Sequence, residues 1–367
     1  MPALAEVASE KLQALASAGR ARALVTSRRN GLLSFNCNDY LGLSQHPKVK
    51  EAGAAAMKNY GAGAGASRLV SGNHPLYAEL EEKLAVWKET EAALVFGSGY
   101  LANIGVIPAL VGKGDVVLAD RLVHASMLDG IRLSGAKLLR FAHNDADNCA
   151  HLLAGCRAEH RHALILTEEV FSMDGDLAPL AALRDIATAQ DAWLMVDGAH
   201  SLAACRSPAD IYVGTLSKAL GAYGGFVCAQ KDVIAWLLTA ARSFLFSTGL
   251  PPATIASASA ALTIMMEDAA FVSSPLIKAR RFTAALGLPL AQSPIVPLVL
   301  GSESRAVAAS RALEAEGYLV AAIRPPTVPE GTSRLRFTFS ALHEDADIDQ
   351  LAAFIQAQGW VTKGNVK

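Results

Sequence analysis

The chain has 367 residues, of which 52% are hydrophobic and 18% charged, and its formal net charge is −1. This composition supports a large buried core, in one big domain or two coupled ones. The balanced charge gives no electrostatic support to binding of nucleic acid or of an anionic membrane, and no apolar run is long enough to span a bilayer. The five cysteines form neither a CxxC pair nor a metal-type cluster, so we expect free thiols in a reducing cytoplasm.

The N-terminal part of the chain is predicted to be helical. Residues 1–22 mix charges with alanines and predict an amphipathic helix, without the continuous apolar core of a signal peptide. Further helices are predicted after Pro47 and over residues 75–87, where apolar residues recur at helical spacing. Residues 61–67 are rich in glycine but follow a helix instead of a strand. We therefore expect a flexible active-site loop there, not a dinucleotide-binding turn.

From residue 92 onward, short apolar runs alternate with helical segments. Runs of this length are typical of strands buried on both faces, and their alternation with helices predicts βαβ units. The runs are 92–96, 116–119, 163–167, 193–196, 211–213 and 226–229.

Near residue 250 the pattern changes to a helix-rich stretch with two later apolar runs, 295–300 and 335–339. The predicted fold class is therefore α/β, with a mostly parallel central sheet, helices on both faces and a smaller α+β C-terminal domain. The expected boundaries are an N-terminal helix and arm over 1–45, a large domain over 46–250 and a small domain over 251–367.

An acid and a lysine follow two successive predicted strands. Asp197 ends the run 193–196, and Lys218 comes after the run 211–213 and a hydroxyl-rich turn. Ligands of open α/β sheets bind at the carboxyl ends of strands. A carboxylate there can pair with a protonated ring nitrogen, and a partly desolvated lysine has the lowered pKa that Schiff-base chemistry needs, so the pair predicts pyridoxal phosphate (PLP) as the cofactor. Alone, Asp197 also suits a helix N-cap and Lys218 a solvated loop.

Other polar groups at the same edge could complete a PLP site. Residues 97–103 open a helix whose unpaired N–H groups suit a phosphate, as does the hydroxyl of Thr215. His124 could stack on a flat ring, and Ser172 and His200 could reach its phenolic oxygen. These positions have structural explanations too. Residues 97–103 also suit an ordinary strand–helix turn, His124 the first turn of a helix, and Ser172 a turn.

Taken together, these segments resemble the α-oxoamine synthases, a family of fold-type-I PLP enzymes. The resemblance covers about residues 34–351. Its family-level motifs are NDYLGL at 38–43, HAS at 124–126, FSMDGD at 171–176 and Lys218, and two segments, AHND at 142–145 and IRPPTVP at 323–329, point to the branch of biotin synthesis.

The resemblance implies a role for each candidate residue. Lys218 would carry the cofactor, Asp197 would bind its pyridine nitrogen, and His124 would stack on its ring. Together with His200 these are the implied catalytic residues. Ser172 and His200 are the implied contacts of the phenolic oxygen. The phosphate would be bound by Gly99, Tyr100 and Thr215 and, in a partner subunit, by Ser247 and Thr248. The implied substrate contacts are Arg20, His124, Thr327 and either Arg334 or Arg336.

Three departures from the family pattern stand out. Gly198 replaces a second acid that relatives usually carry after the ring-binding aspartate, and the segment between His200 and Lys218 is short. Gly249 stands where a serine or alanine is more usual. The main catalytic groups are kept, so the resemblance still implies activity.

The resemblance implies a decarboxylative condensation of L-alanine with a pimeloyl thioester of CoA or acyl carrier protein. It also implies a cytoplasmic homodimer with shared active sites that binds no metal, nucleic acid or membrane. The alternatives are a family member that joins glycine to acetyl-CoA, as a 2-amino-3-ketobutyrate ligase does, and a non-catalytic subunit. An NAD-linked dehydrogenase is disfavoured because the glycine-rich stretch lies out of context.

Overall fold

A computed structural model describes residues 2–17, 20, 21, 24, 31–202 and 208–361. In that part of the chain the strands are β1 Leu33–Ser34, β2 Ala92–Phe96, β3 Val116–Asp120, β4 Lys137–Phe141, β5 Ala163–Glu168, β6 Trp193–Asp197, β7 Ile211–Thr215, β8 Gly225–Ala229, β9 Ile295–Gly301, β10 Tyr318–Leu319, β11 Ala321–Ile323 and β12 Ser333–Thr338. The α-helices are α1 Leu4–Ser17, α2 Pro47–Tyr60, α3 Pro75–Trp87, α4 Gly99–Leu110, α5 Ala125–Ser134, α6 Ala146–Ala154, α7 Leu180–Ala189, α8 Lys231–Ala240, α9 Arg242–Leu245, α10 Pro252–Glu267, α11 Ala269–Leu286, α12 Glu303–Ala315 and α13 Asp345–Ala357. Short 3₁₀ helices cover Leu43–Gln45 and Arg157–Glu159.

The chain divides into two compact units. The larger unit comprises residues 38–172 and 176–275, and the smaller comprises residues 1–37, 173–175 and 276–367. The domain boundaries expected near residues 45 and 250 stay a prediction.

The larger unit is built on a seven-stranded sheet with the order β2-β8-β7-β6-β5-β3-β4. Strand β8 runs antiparallel to both neighbours, whereas β7, β6, β5, β3 and β4 pair in parallel. Every residue of β3, β5 and β8 is buried, which is typical of a sheet covered on both faces. The predicted mostly parallel central sheet is thus confirmed, and the carboxyl ends of β3, β5, β6 and β7 meet at one edge.

Local sequence signals explain the helices that flank this sheet. Helices α2 and α3 begin at prolines, Pro47 and Pro75, in the first turn, where the missing N–H costs nothing. Helix α4 begins after Ser98, whose hydroxyl accepts the Leu101 N–H at 3.1 Å. Its apolar residues join one continuous core with those of α5 and the sheet, so the start of α4 is held firmly at the sheet edge.

The smaller unit contains an antiparallel sheet of order β11-β12-β9 and a parallel pair, β1 with β10. All six residues of β12 are buried. One core cluster of this unit includes the side chains of Phe282, Phe337, Phe339 and Leu351. The predicted smaller α+β domain is confirmed.

No single helix in the described part of the chain is long and apolar enough to cross a membrane; α10 and α11 meet the criterion of length and composition only when counted together across the bend between them.

Candidate active site

Asp197 is a buried carboxylate at the carboxyl end of β6, with 6% of its surface exposed. Asn103 donates to its Oδ2 at 2.7 Å, and the backbone N–H of Ala199 donates to its Oδ1 at 2.9 Å. Each carboxylate oxygen can accept a second hydrogen bond. Asp197 is therefore held in one orientation and can still accept from a ligand.

A line of hydrogen bonds runs from Asp197 to His124. The Asn103 amide that donates to Asp197 also donates to Ser126 Oγ at 2.9 Å, and Ser126 Oγ lies 2.7 Å from His124 Nδ1. Both linking side chains are buried. The sequence analysis assigned no role to either; a single asparagine inside the apolar helix α4 was the available signal.

The surroundings of His124 favour a neutral imidazole. Burial lowers its pKa most, and the nearby ammonium of Lys218 lowers it further, while Asp197 and Asp129 act in the opposite direction. An uncharged flat ring suits the stacking role predicted for His124.

Lys218 lies at the end of a buried hydrogen-bonded chain. Its Nζ is 2.7 Å from His200 Nε2, and His200 Nδ1 is 2.6 Å from the hydroxyl of Tyr40. That hydroxyl also donates to Asn38 Oδ1 at 3.4 Å, and Tyr40 is fully buried. Because a neutral imidazole carries one proton, the contact of Tyr40 with Nδ1 influences whether the Nε2 atom that faces Lys218 is a donor or an acceptor. The sequence analysis assigned no role to Tyr40 or Asn38.

Replacing Tyr40 with phenylalanine should lower kcat/KM by about tenfold and shift its pH profile, because His200 Nδ1 loses a buried partner. Kinetics across the pH range would measure both effects. Tyr318→Phe, at a half-buried tyrosine of the smaller unit, is the control. An unchanged pH profile in Tyr40→Phe would argue against this role.

The start of α4 and the end of β7 form a small anion-binding arrangement. By helix geometry the N–H groups of Gly99 and Tyr100 have no acceptor within α4. The backbone at Gly99 runs beside Thr215, since a Cβ added to Gly99 would lie 3.6 Å from Thr215 Cβ. The Tyr100 hydroxyl donates to Asp129 Oδ2 at 2.6 Å. A helix N-terminus next to a hydroxyl suits a phosphate.

Ser247 and Thr248 follow α9 and lie against the glycine-rich loop 61–67. Thr248 is exposed and forms an isolated antiparallel bridge with Ser67. The next residue has a physical reason to be glycine, because a Cβ on Gly249 would lie 2.9 Å from the carbonyl oxygen of Gly72. The phosphate role of Ser247 and Thr248 in a partner subunit stays a prediction.

Gly198, the first of the departures from the family pattern, also has a structural cause. A Cβ at Gly198 would overlap the hydroxyl and ring of Tyr212. Tyr212 is buried, and its hydroxyl donates to Glu169 at 3.0 Å. Position 198 therefore has no room for a larger side chain beside the tyrosine of β7.

Replacing Gly198 with alanine should destabilise the protein by about 1–3 kcal/mol, because Tyr212 has no room to move aside. Urea unfolding of Gly198→Ala, Tyr212→Val and the double variant would measure this. We expect the double variant to be more stable than the sum of the single losses predicts. Additive losses would contradict the overlap as the cause.

Ser172 follows β5 and is tied to a second buried acid. Its backbone N–H donates to Glu168 Oε2 at 3.1 Å, and Glu168 pairs in register with Asp197 of β6. Burial and then the charge of Asp197 raise the pKa of Glu168 to about 8. Glu168 was not among the predicted site residues, and an acid that ends a fully buried strand was the signal for it.

Two arginines predicted to bind a carboxylate lie on β12 of the smaller unit. Arg334 has a side chain only 5% exposed, and it donates to Asp174 Oδ1 at 2.5 Å and to the carbonyl oxygen of Met173 at 3.2 Å. Arg336 is buried as well. In this structure Arg334 has an acidic partner, and the choice between the two arginines stays a prediction.

Arg20 and Thr327, two further predicted substrate contacts, also belong to the smaller unit. Arg20 is paired with Glu303 at 3.3 Å and with Glu330 at 3.1 Å. Thr327 is exposed, and its N–H donates to the carbonyl oxygen of Arg324 at 3.1 Å. Their contact with substrate stays a prediction.

Comparison with known proteins places this site in a family. Residues 30–355 match the family described as aminotransferase class I and II. The chain is 54% identical to 8-amino-7-oxononanoate synthase of Methylobacterium nodulans over 98% of both chains.

Two solved structures share the fold. A serine palmitoyltransferase variant from S. paucimobilis, with a bound PLP–myriocin aldimine, is 29% identical and superposes with a TM-score of 0.90 over 98% of both chains. The 8-amino-7-oxononanoate synthase of Francisella tularensis is 26% identical, with a TM-score of 0.75 over 90% of this chain and 98% of that one. The chain therefore belongs to the 8-amino-7-oxononanoate synthases, PLP-dependent acyltransferases of the type I fold, and the predicted family, fold and cofactor are confirmed.

Proposed function

We propose that the chain condenses L-alanine with a pimeloyl thioester of CoA or acyl carrier protein, giving 8-amino-7-oxononanoate, CO₂ and free thiol in the cytoplasm. The observation that carries this proposal is the placement of buried Asp197 and of Lys218 just after neighbouring parallel strands, β6 and β7. Family membership supports the choice of substrates.

The residues present fit PLP. Asp197 retains acceptor capacity for a ring N–H while Asn103 and Ala199 fix its orientation. The buried Asn103 Oδ1 has no hydrogen-bond partner among the described residues, so the site has unused polar capacity. The N–H groups at the start of α4 would hold the phosphate. The hydroxyl of Thr215, which donates to the carbonyl oxygen of Gly224 at 2.9 Å, would turn to join them, and the half-buried amine of Lys218 would carry the cofactor. When bound, PLP supplies an electron-withdrawing ring that stabilises negative charge at the Cα atom of the amino acid.

Each remaining group has one task in the proposed reaction. Lys218 Nζ removes the proton from the Cα atom of alanine, and His200 Nε2, 2.7 Å away, orients that amine. The new carbon–carbon bond forms at the thioester carbonyl as the carbon–sulfur bond breaks, and the departing thiolate takes a proton from water. The carboxyl group of alanine is then released as CO₂, and Lys218 Nζ returns a proton to the same carbon atom. His124 would stack over the ring, and Ser172 and His200 would hold the phenolic oxygen.

The groups of the smaller unit complete the proposal. Arg334 or Arg336 would bind the carboxylate of alanine, while Arg20 and Thr327 would contact substrate. Ser247 and Thr248 would reach the phosphate bound by a second copy, so we propose a homodimer with shared sites.

An optical experiment tests the cofactor and the lysine. The purified protein should show a visible PLP band, borohydride reduction should fix the cofactor to Lys218 as seen by peptide mass, and Lys218→Ala should alter the band and abolish turnover. Lys231→Ala, at an exposed lysine of α8, is the matched control. A colourless protein that takes up no PLP would contradict the proposal.

A substrate panel tests the reaction. Alanine, glycine and serine would each be offered with pimeloyl, acetyl, succinyl and palmitoyl thioesters while CO₂ and thiol release are followed. We expect the fastest turnover with alanine and a pimeloyl thioester. Faster turnover of glycine with acetyl-CoA would replace this proposal by the ligase alternative, and no turnover of any pair would favour a non-catalytic subunit.

A further inference from the structure

Glu168 is a buried acid to which the proposed reaction gives no task. It is the last residue of β5, with 3% of its surface exposed, and it pairs in register with Asp197 on β6. Side chains in register on neighbouring strands lie on the same face of a sheet. Two carboxyl groups therefore lie side by side at the edge where the cofactor would bind.

The carboxyl of Glu168 lies between two loops. Its Oε2 accepts the backbone N–H of Ser172 at 3.1 Å, and its Oε1 is buried with no hydrogen-bond partner among the described residues. The backbone N–H of His124 lies close enough to favour the charged form of the carboxyl. Ser172 lies in the turn after β5, and His124 lies between β3 and α5. Neither N–H belongs to a strand ladder or a helix, so Glu168 supplies an acceptor that regular secondary structure does not provide.

The charge state of Glu168 fits an acceptor role. Burial and the neighbouring negative charge of Asp197 raise its pKa to about 8, against the opposing effects of Lys218 and of the two N–H donors. At neutral pH the group is thus mostly protonated, and its carbonyl oxygen still accepts hydrogen bonds. An amide of the same shape offers the same acceptor.

We propose that Glu168 is a positioning residue whose carboxyl oxygen holds the backbones of His124 and Ser172 in place. Through them it fixes the two side chains that would stack on the cofactor ring and bind its phenolic oxygen. This inference rests on the proposed function for what those side chains contact, and on the structure for the hydrogen bond from Ser172 and for the unpartnered, buried Oε1 of Glu168.

The test compares two variants. Glu168→Gln keeps a hydrogen-bond acceptor, whereas Glu168→Leu keeps the approximate size of the side chain and removes the acceptor. PLP affinity would be measured by adding the cofactor back to the stripped protein, and ring orientation by circular dichroism in the PLP band. Glu168→Leu should bind PLP about tenfold more weakly and lose about half of the induced signal. Glu168→Gln should stay within about twofold of the wild type. The matched control is Glu169→Leu, whose carboxyl instead accepts from Tyr212.

Hydrogen exchange of the wild-type holoenzyme tests the same idea without a variant, in case Glu168→Leu fails to fold. The amides of His124 and Ser172 should exchange slowly although they lie in loops. Exchange at the rate of an open chain would overturn the proposal, as would wild-type PLP affinity in a folded Glu168→Leu or equal damage in both Glu168 variants. A wild-type protein without a PLP band would overturn the proposed function instead, so the two failures are distinguishable.

Discussion

Asp197→Asn is expected to lower kcat/KM for the condensation by about 10²–10³-fold, because asparagine supplies no negative charge to the ring nitrogen. The substitution has a second effect that the structure makes specific. Asp197 accepts from two donors, Asn103 and the Ala199 N–H, one on each oxygen. Asparagine has only one acceptor atom, so one donor is left facing an amide N–H.

We therefore expect Asp197→Asn to lose about 1–3 kcal/mol of stability even without the cofactor. Steady-state kinetics and urea unfolding of the PLP-free protein would measure the two losses separately. The matched control is Asp115→Asn: Asp115 is as deeply buried, accepts from Gly112 and is paired with Arg161 at 3.0 Å. Asp115→Asn should lose stability and keep kcat/KM. Activity of Asp197→Asn within about tenfold of the wild type would contradict the assigned role.

The sheet and the polar edge were predictable from the sequence because their signals are local. Each apolar run from residue 92 to residue 229 became a strand, and an acid or hydroxyl residue directly at the end of a buried run places that side chain at the ligand-binding edge. Asp197 and Thr215 are the terminal residues of β6 and β7 for this reason. The branch of biotin synthesis was predicted only from resemblance, because the residues of the AHND and IRPPTVP motifs do not by themselves indicate a particular reaction.

The groups that hold the site residues were not predictable in the same way. Asn103 and Asp197 are 94 positions apart, and Tyr40 and His200 are 160 apart. No periodicity relates residues across such separations, because their contact depends on how helices and loops pack on the sheet. Gly198 shows the same limit: it is a departure in the sequence, and only the packing of Tyr212 explains it. Buried polar residues within apolar segments are the signal that sequence inspection could use.

His143 is a half-buried residue that links the end of β3 to the turn after β5 in the larger unit. Its Nδ1 lies 3.0 Å from Asp120 Oδ1 and its Nε2 lies 2.8 Å from Asp176 Oδ2. Burial lowers its pKa, but the hydrogen bonds and charges of both carboxylates outweigh burial and raise it to about 10. The imidazole is therefore a cation that neutralises two acids, one at the end of β3 and one in the FSMDGD motif after Ser172.

Replacing His143 with leucine should destabilise the protein by about 3 kcal/mol at neutral pH, because two carboxylates lose their shared cation. The pH dependence follows from the pKa, which rises from an ordinary value of 6.5 to about 10 on folding. A group whose pKa is raised on folding contributes its full stabilisation below the unfolded pKa and loses it as the pH rises through the folded pKa. The difference in stability between wild type and His143→Leu should thus be largest below pH 6.5 and shrink steadily toward about pH 10.

Urea unfolding midpoints of the PLP-free protein across that range would measure this difference. His151→Leu is the control, since His151 is exposed on α6 of the same unit, and its effect should be small at every pH. A difference for His143→Leu that stays constant from neutral pH to about pH 10 would mean that His143 is not the cation between Asp120 and Asp176. A difference that shrinks as expected would show that the AHND motif holds the Ser172 loop by charge, since the loop anchor Asp176 would then depend on a protonated His143.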